Sequence, residues 1–399
     1  MLKTARRELA RRIPHAEFFM PVNTEQMRRN ALESGVKPIN RTGSGNLKKI
    51  FSLAAGIAAS PGILDSVAIF PSKATFFQQI EHIDAMVDIS GFAFSDETGE
   101  RISSYHRALV LAMFKKQKPC IYFPQAWGPF NNRMIACNVS SIVRQSSAVF
   151  ARDSKSYRWL LSLTRFHKKR ILRSPDIAFL FRGDSRSTGA GILAESGAGP
   201  LGPPRIGIIP NQHVYGRCSG TGTENSYVRL LMDTARFCTS RLGGHVFFIM
   251  HEFSTGKSGG TKLDTGIFDM LERSTNGNKQ ISFIRREIPA ETIKSVIGNM
   301  DIIICSRFHG LVAALSQNVP SIAIGWSHKY GELMNDAGLG AYNFSVQDSG
   351  QKELNDSVLE IWNKRKEIQK KLHSVIPLLK SKASKSIDIT SEIILGNLK

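Results

Sequence analysis

From Arg205 onward the chain alternates short, wholly apolar runs with stretches of helical spacing. "RIGIIP" (Arg205 to Pro210), "HVFFIMHE" from His245, "ISFIRRE" (Ile281 to Glu287), "DIIIC" (Asp301 to Cys305) and "SIAIGW" (Ser321 to Trp326) are the apolar runs. Helix-compatible sequence separates them, near Asn225 to Leu242, near Ala290 to Asn299 and from about Gly310. Strands without a polar face are covered on both sides, as in a parallel sheet whose crossovers are helices. The doubly wound α/β class follows. The first half repeats the pattern more loosely, with "AEFFMPV", "VAIF", "AMVDISG", "CIYFPQA" and "SAVFARD" as strands. Phe51 to Phe70, the longest apolar stretch, contains Pro61, Gly62 and Asp65 and reads as helix, turn and strand rather than a membrane span. Arg182 to Pro204 carries six glycines and three prolines with little apolar periodicity, and reads as a linker. The expected organisation is therefore two Rossmann-like domains facing a cleft, residues 1–181 and 205–380, joined by 182–204, with 381–399 a tail or returning helix.

Composition narrows the class. Of 399 residues, 42% are hydrophobic and 22% charged, as in a globular protein rather than a disordered or fibrous one. The 53 Lys and Arg against 33 Asp and Glu leave a net charge of +20. That excess favours anionic partners: phosphorylated metabolites, acidic glycans or peripheral contact with an anionic membrane surface. A merely solubilising surface would produce it as well. No nucleic-acid module is visible, so no nucleic-acid partner is expected. Five scattered cysteines without a CxxC fit a reducing cytoplasm. The N-terminus has no apolar signal-peptide core.

In open α/β sheets ligands bind beyond the carboxyl ends of the strands. The residues at those ends are Ser90-Gly91, Gln125, Arg152-Asp153, His251-Glu252, Arg307 to His309 and Ser327 to Lys329. Arg307 and His309 stand out, because a cation and an imidazole interrupt two core elements. If the chain is still extended there, both point to one side. The following helix adds unpaired N–H groups and a positive dipole end, and Gly310 would let a ligand approach the backbone. Guanidinium binds phosphate or carboxylate in a bidentate fork, and imidazole moves protons near neutral pH. Lys329 opens a helix against the dipole, as a lysine beside a bound anion would. Asp153 reads as an N-cap, Arg152 as a residue facing the cleft, and His251 as an acid–base partner or one half of a loop ion pair with Glu252. No P-loop, HExxH or metal-ligand spacing is present.

At these residues the chain resembles the polysaccharide pyruvyltransferase family. The block "DIIICSRFHGLVAALSQNVPSIAIGWSHKYGELMNDAGL" carries most of the likeness, and "DISGFAFSD", "YFPQAWGPF", "FARDSKSY" and "SPDIAFLF" follow the family's order. The resemblance implies a GT-B-like fold, with residues 1–181 the acceptor side and 205–380 the donor side, and transfer of pyruvate from phosphoenolpyruvate to sugar hydroxyls as a ketal. It implies donor contacts by Arg307 and His309, with Arg152 matching the arginine of an "RD" motif, and His251 and Lys329 at recurrent positions. Gly91 and Gln125 join them as substrate-side candidates. Phosphoenolpyruvate is then the donor substrate, no cofactor is needed, and the acceptor is a glycan or lipid-linked saccharide at the inner face of the membrane. Family members open on a strand and a "GDE"-like turn; here the first residues already read as helix, so the first strand is expected to be missing. Two other readings stay open: a GT-B glycosyltransferase using a nucleotide sugar, and a non-catalytic homologue serving as a basic scaffold in glycan assembly.

Overall fold

The computed structural model describes residues 1–22, 25–40, 82–164, 167–197, 202, 204–252, 265–275, 277–345 and 350–398. The expected strand "VAIF" and the helix and turn before it, Phe51 to Phe70, fall outside those residues. The chain divides into two compact units, Met1–Phe181 with Lys380–Lys399, and Arg182–Leu379.

The first unit begins with helix α1 (Leu2–Ala10), strand β1 (Phe19–Val22), α2 (Glu25–Glu33) and β2 (Lys37–Asn40). It continues with β3 (Met86–Asp88), α3 (Glu100–Lys115), β4 (Cys120–Gln125), α4 (Arg133–Gln145), β5 (Ala148–Ala151), α5 (Ser154–Leu163) and β6 (Ile171–Arg173). β3, β4, β5 and β6 form a parallel sheet in that order, and β1 pairs with β2 in a separate parallel pair. The period of two along β4 sorts its side chains between two cores. Ile121 and Phe123 pack with Ala5 and Leu9 of α1, whereas Tyr122 packs with Val110 of α3 and Val139 of α4. Both faces are covered, which is why β4 is apolar at almost every position.

The second unit contains α6 (Arg186–Glu195), β7 (Arg205–Ile209), α7 (Gln212–Tyr215), α8 (Ser226–Leu242), β8 (His245–Ile249), α9 (Thr265–Arg273) and β9 (Ile281–Ile284). It continues with α10 (Ala290–Gly298), β10 (Ile302–Cys305), α11 (Phe308–Leu315), β11 (Ser321–Gly325), α12 (His328–Asp336), β12 (Asn343–Ser345) and α13 (Gln351–Asn363). Its parallel sheet has the order β12-β11-β10-β7-β8-β9. The chain starts in the middle, builds outward to β9, then returns to the other side of β7. The reversal opens a crevice between the carboxyl ends of β7 and β10. α14 (Arg365–Asn397) runs from the second unit into the first, burying Leu372 and Ile376 before Pro377 and Ile387 and Ile394 after it.

The stretch 182–204, expected as a linker, contains α6, which lies along α10. Gly189 N donates to Ser295 Oγ at 3.0 Å, Asp184 N to Glu291 O at 3.0 Å and Thr292 Oγ1 to Asp184 Oδ2 at 2.6 Å. A Cβ at Gly189 would stand 2.5 Å from the Ser295 carbonyl carbon and oxygen. The glycine there permits close helix approach, a use that composition does not separate from flexibility. Gly189→Val should lower stability by about 1–3 kcal/mol through forced separation of the two helices. Gly191→Ala, where a Cβ meets nothing within 4 Å, should raise it by up to about 1 kcal/mol; denaturant unfolding of both variants compares them.

Candidate functional site

In the second unit the crevice is built around Ser306, which is 1% exposed. Its N–H donates to Ile209 O at 2.9 Å, which extends the β7–β10 pairing by one residue. Its carbonyl accepts from Asn211 Nδ2 at 2.7 Å and from the Tyr330 hydroxyl at 2.8 Å. Its hydroxyl accepts from the Tyr227 hydroxyl at 2.7 Å. Asn211 follows β7, Tyr227 lies on α8 and Tyr330 on α12, so three elements pin this residue. Burial raises the Tyr330 pKa, keeping it a neutral donor.

Arg307 comes next, in extended geometry (φ −109°, ψ 123°), and is the N-cap of α11. The helix starts at Phe308 rather than near Gly310. His309 therefore sits in the first helical turn, and the strand-like spacing expected for the pair does not apply. Phe308 is 9% exposed and buried, with its ring 6.2 Å edge-on to Tyr330, while His309 is exposed. Gly310 serves packing: a Cβ there would meet Cys305 Sγ at 3.0 Å and Ile209 Cδ1 at 3.1 Å. Arg307 Nη1 pairs with Glu252 Oε2, and the two side chains are 12% and 40% exposed.

His251 lies just beyond β8. Burial, reinforced by Arg307 and His309, pushes its pKa down to about 3, so it is a neutral imidazole near neutral pH. Arg307, His309 and His251 are thus brought together electrostatically although they follow different strands. His213, on α7, is also held below the ordinary histidine value, first by burial and then by Arg307, Arg217 and Lys329, with Glu252 opposing. Three cations against one carboxylate act on that ring. Trp326, after β11, carries two of them. The Arg217 guanidinium carbon is 4.2 Å and Lys329 Nζ 4.3 Å from its ring centroid. Lys329 is 9% exposed. Three cationic side chains and a neutral imidazole are the chemistry this crevice offers, and such a set can hold an anion.

Gly91, Gln125 and Arg152 belong to the first unit. Gly91 and Gln125 lie by the carboxyl ends of β3 and β4, where Ala126 N donates to Gly91 O at 3.0 Å. Arg152 has a structural partner instead of an open face. Its Nη1 is 2.8 Å from Asp176 Oδ2, with the two side chains 5% and 1% exposed. Asp153 caps α5, accepting from Ser156 N at 2.7 Å. Among the described residues no group of three or more His, Cys, Asp or Glu could hold a metal ion, and no helix is long and apolar enough to cross a membrane.

Sequence reasoning missed His213, Arg217 and the role of Trp326. The rule of strand ends would have found His213, since β7 is followed by Pro210-Asn211-Gln212-His213. Arg217 carried no signal of its own.

The family model for polysaccharide pyruvyl transferases matches residues 1–328. No curated protein matches the chain in sequence. Among solved structures, UDP-GlcNAc 2-epimerase from Neisseria meningitidis, bound to UDP-GlcNAc, is similar with a TM-score of 0.63 at 10% identity, covering 100% of this chain and 95% of that one. Anabaena HepE in complex with UDP has a TM-score of 0.60 at 11% identity, covering 99% and 96%. A glycosyltransferase from Rickettsia africae has a TM-score of 0.60 at 11% identity, covering 98% and 94%. At such identities the likeness shows a GT-B-like fold and nothing further.

The lowered His251 pKa makes a prediction about stability. The unfolded chain takes up this proton near pH 6.5, whereas the folded one resists it down to about 3. His251 therefore imposes no penalty above pH 6.5 and a growing one as pH falls from 6.5 towards 3. Thermal midpoints of the wild type and His251→Asn, compared from pH 7 to 4.5, should shift in favour of the variant as pH drops.

Proposed function

Because the chain belongs to the polysaccharide pyruvyl transferase family, we propose that it moves a pyruvyl group from phosphoenolpyruvate onto two hydroxyls of a saccharide. The observation that carries this reading is the cation cluster Arg217, Arg307 and Lys329 at the β7–β10 crevice, beside the neutral imidazole of His251. Phosphoenolpyruvate bears a carboxylate and a phosphate. Arg307 offers the planar fork that suits a carboxylate, and Lys329 and Arg217 offer charge for the phosphate. Glu252, at 40% exposure, pairs with Arg307 and can turn towards solvent when the donor's anion takes its place on the guanidinium.

In the reaction the methylene carbon takes a proton and C2 becomes electron-poor. A sugar hydroxyl bonds to C2 and releases its proton, and the C2–O bond to phosphate breaks. A second hydroxyl then bonds to C2, closing the ketal and releasing the other proton to the departing phosphate. Two C–O bonds form, while one C–O bond and the C=C π bond are lost. His309, exposed on the first turn of α11, orients the donor or carries a proton. His251, neutral near pH 7 and hard to protonate, serves as an uncharged hydrogen-bonding group beside the donor rather than as the proton carrier. The net charge of +20 favours an anionic membrane surface, where a lipid-linked acceptor would reside.

The test is phosphate release from phosphoenolpyruvate with a panel of lipid-linked and nucleotide-linked glycans. Arg307→Gln and Lys329→Met should each lower kcat/KM by about 100-fold, and His309→Ala should lower kcat. Phosphoenolpyruvate should raise the thermal midpoint of the wild type, and UDP should not. Protection by UDP alone would turn the reading to a nucleotide-sugar glycosyltransferase; glycan binding without phosphate release would turn it to a non-catalytic homologue.

A further inference from the structure

The first unit carries a second polar group that donor chemistry leaves unused. Asp88 closes β3 with its side chain 9% exposed, and Gln125 closes β4 at 1%. Asp88 Oδ1 accepts from the Ser90 hydroxyl at 2.6 Å, from Gln125 Nε2 at 2.8 Å and from Ser90 N at 3.3 Å. All three bonds fall on one oxygen. Oδ2 faces His106, whose Nδ1 is 3.8 Å away and beyond hydrogen-bond reach. The Ser90 hydroxyl also lies 3.2 Å from Gln125 Oε1, but it has a single proton, and the shorter contact to Asp88 takes it. Turning the amide over would not help, because its oxygen would then meet the carboxylate.

The cluster is therefore short of donors. Asp88 Oδ2 and Gln125 Oε1 keep acceptor capacity that the cluster's own donors do not fill, beside the exposed Ser90. Among the described residues the only titratable base paired with Asp88 is His106; no lysine or arginine neutralises it. An anionic ligand would be repelled, whereas an uncharged ligand rich in hydroxyl groups supplies the missing donors. Space is available beside it: Gly91 has a φ of +79°, and a Cβ there would meet nothing within 4 Å.

We propose that Asp88, Gln125 and Ser90 form a hydroxyl-recognition site that binds the saccharide acceptor. The carboxylate takes a hydrogen bond from one ring hydroxyl and the glutamine oxygen from a neighbouring one. The assignment as acceptor rests on the pyruvyl-transfer reading; the preference for a neutral polyol over an anion does not. His106 is a positioning residue beside the carboxylate.

Asp88→Asn keeps the shape and removes the charge. With a turned-over glycan it should raise the acceptor KM by about 10-fold or more, the loss expected for one hydrogen bond to a charged group. The dissociation constant for phosphoenolpyruvate, read by calorimetry, should stay unchanged. Ser90→Ala, at an exposed position, provides a second variant and should move the acceptor KM in the same direction. An unchanged acceptor KM in Asp88→Asn, or an equal loss of phosphoenolpyruvate affinity, overturns the proposal. If the wild type releases no phosphate with any glycan, the pyruvyl-transfer reading fails by itself. The site is then judged by saturation-transfer NMR with methyl glycosides of galactose, glucose and mannose. Transfer seen in the wild type and lost in Asp88→Asn supports it; no transfer, or equal transfer in both, overturns it.

Discussion

Everything at the second unit's crevice depends on how Ser306 is held. A residue between a buried strand and a buried helix has backbone groups that neither element satisfies, and leaving them unpaired would cost several kcal/mol. Asn211 and Tyr330 fill that deficit at the Ser306 carbonyl, and Tyr227, from a third element, ties down its hydroxyl. The turn is thereby fixed, and Arg307 is delivered in one backbone conformation at the mouth of the sheet. The geometry of this crevice is the by-product of a hydrogen-bond accounting problem solved in the core.

Electrostatics then follow from proximity. Burial first, and then the neighbouring charges, lower both imidazole pKa values: Arg307, Arg217 and Lys329 act on His213, and Arg307 and His309 on His251. His251 therefore adds no charge to the site across the pH range in which free histidine would titrate. In the first unit the arrangement is reversed, with Asp88 as a carboxylate that no lysine or arginine pairs with among the described residues. Both groups occupy carboxyl ends of parallel strands, the position at which side chains emerge from a covered sheet.

Much of this was legible from residue order. Continuous apolar runs located β7 to β11, because a strand buried on both faces has no polar register to disguise it. Arg307 and His309 were visible as polar breaks in such a run, and Asp153 as a cap. The helix start was misplaced by two residues, since Phe308 is apolar enough to continue a strand and the turn is set by distant partners. Arg152 was equally visible but its use was not: Asp176, 24 residues later, decides that it is a buried ion pair. Glycine misled in 182–204 because the same residue serves loose linkers and tight helix contacts. Arg217 was illegible because its neighbour, Trp326, is more than a hundred residues away.

α14 places Ile387 and Ile394 in the same cluster as Ala5, Leu9, Ile121 and Phe123. During synthesis the first unit is therefore begun before the second and completed after it. Its sheet can pair as soon as β6 has emerged, but one face waits until the second unit has been made and α14 follows. During that interval Phe123 and Phe150 lack two of their packing partners, a period in which chaperones have something to hold. Loss of α14 beyond Pro377 would uncover the first unit while leaving Arg217, Arg307 and Lys329 in place along the chain.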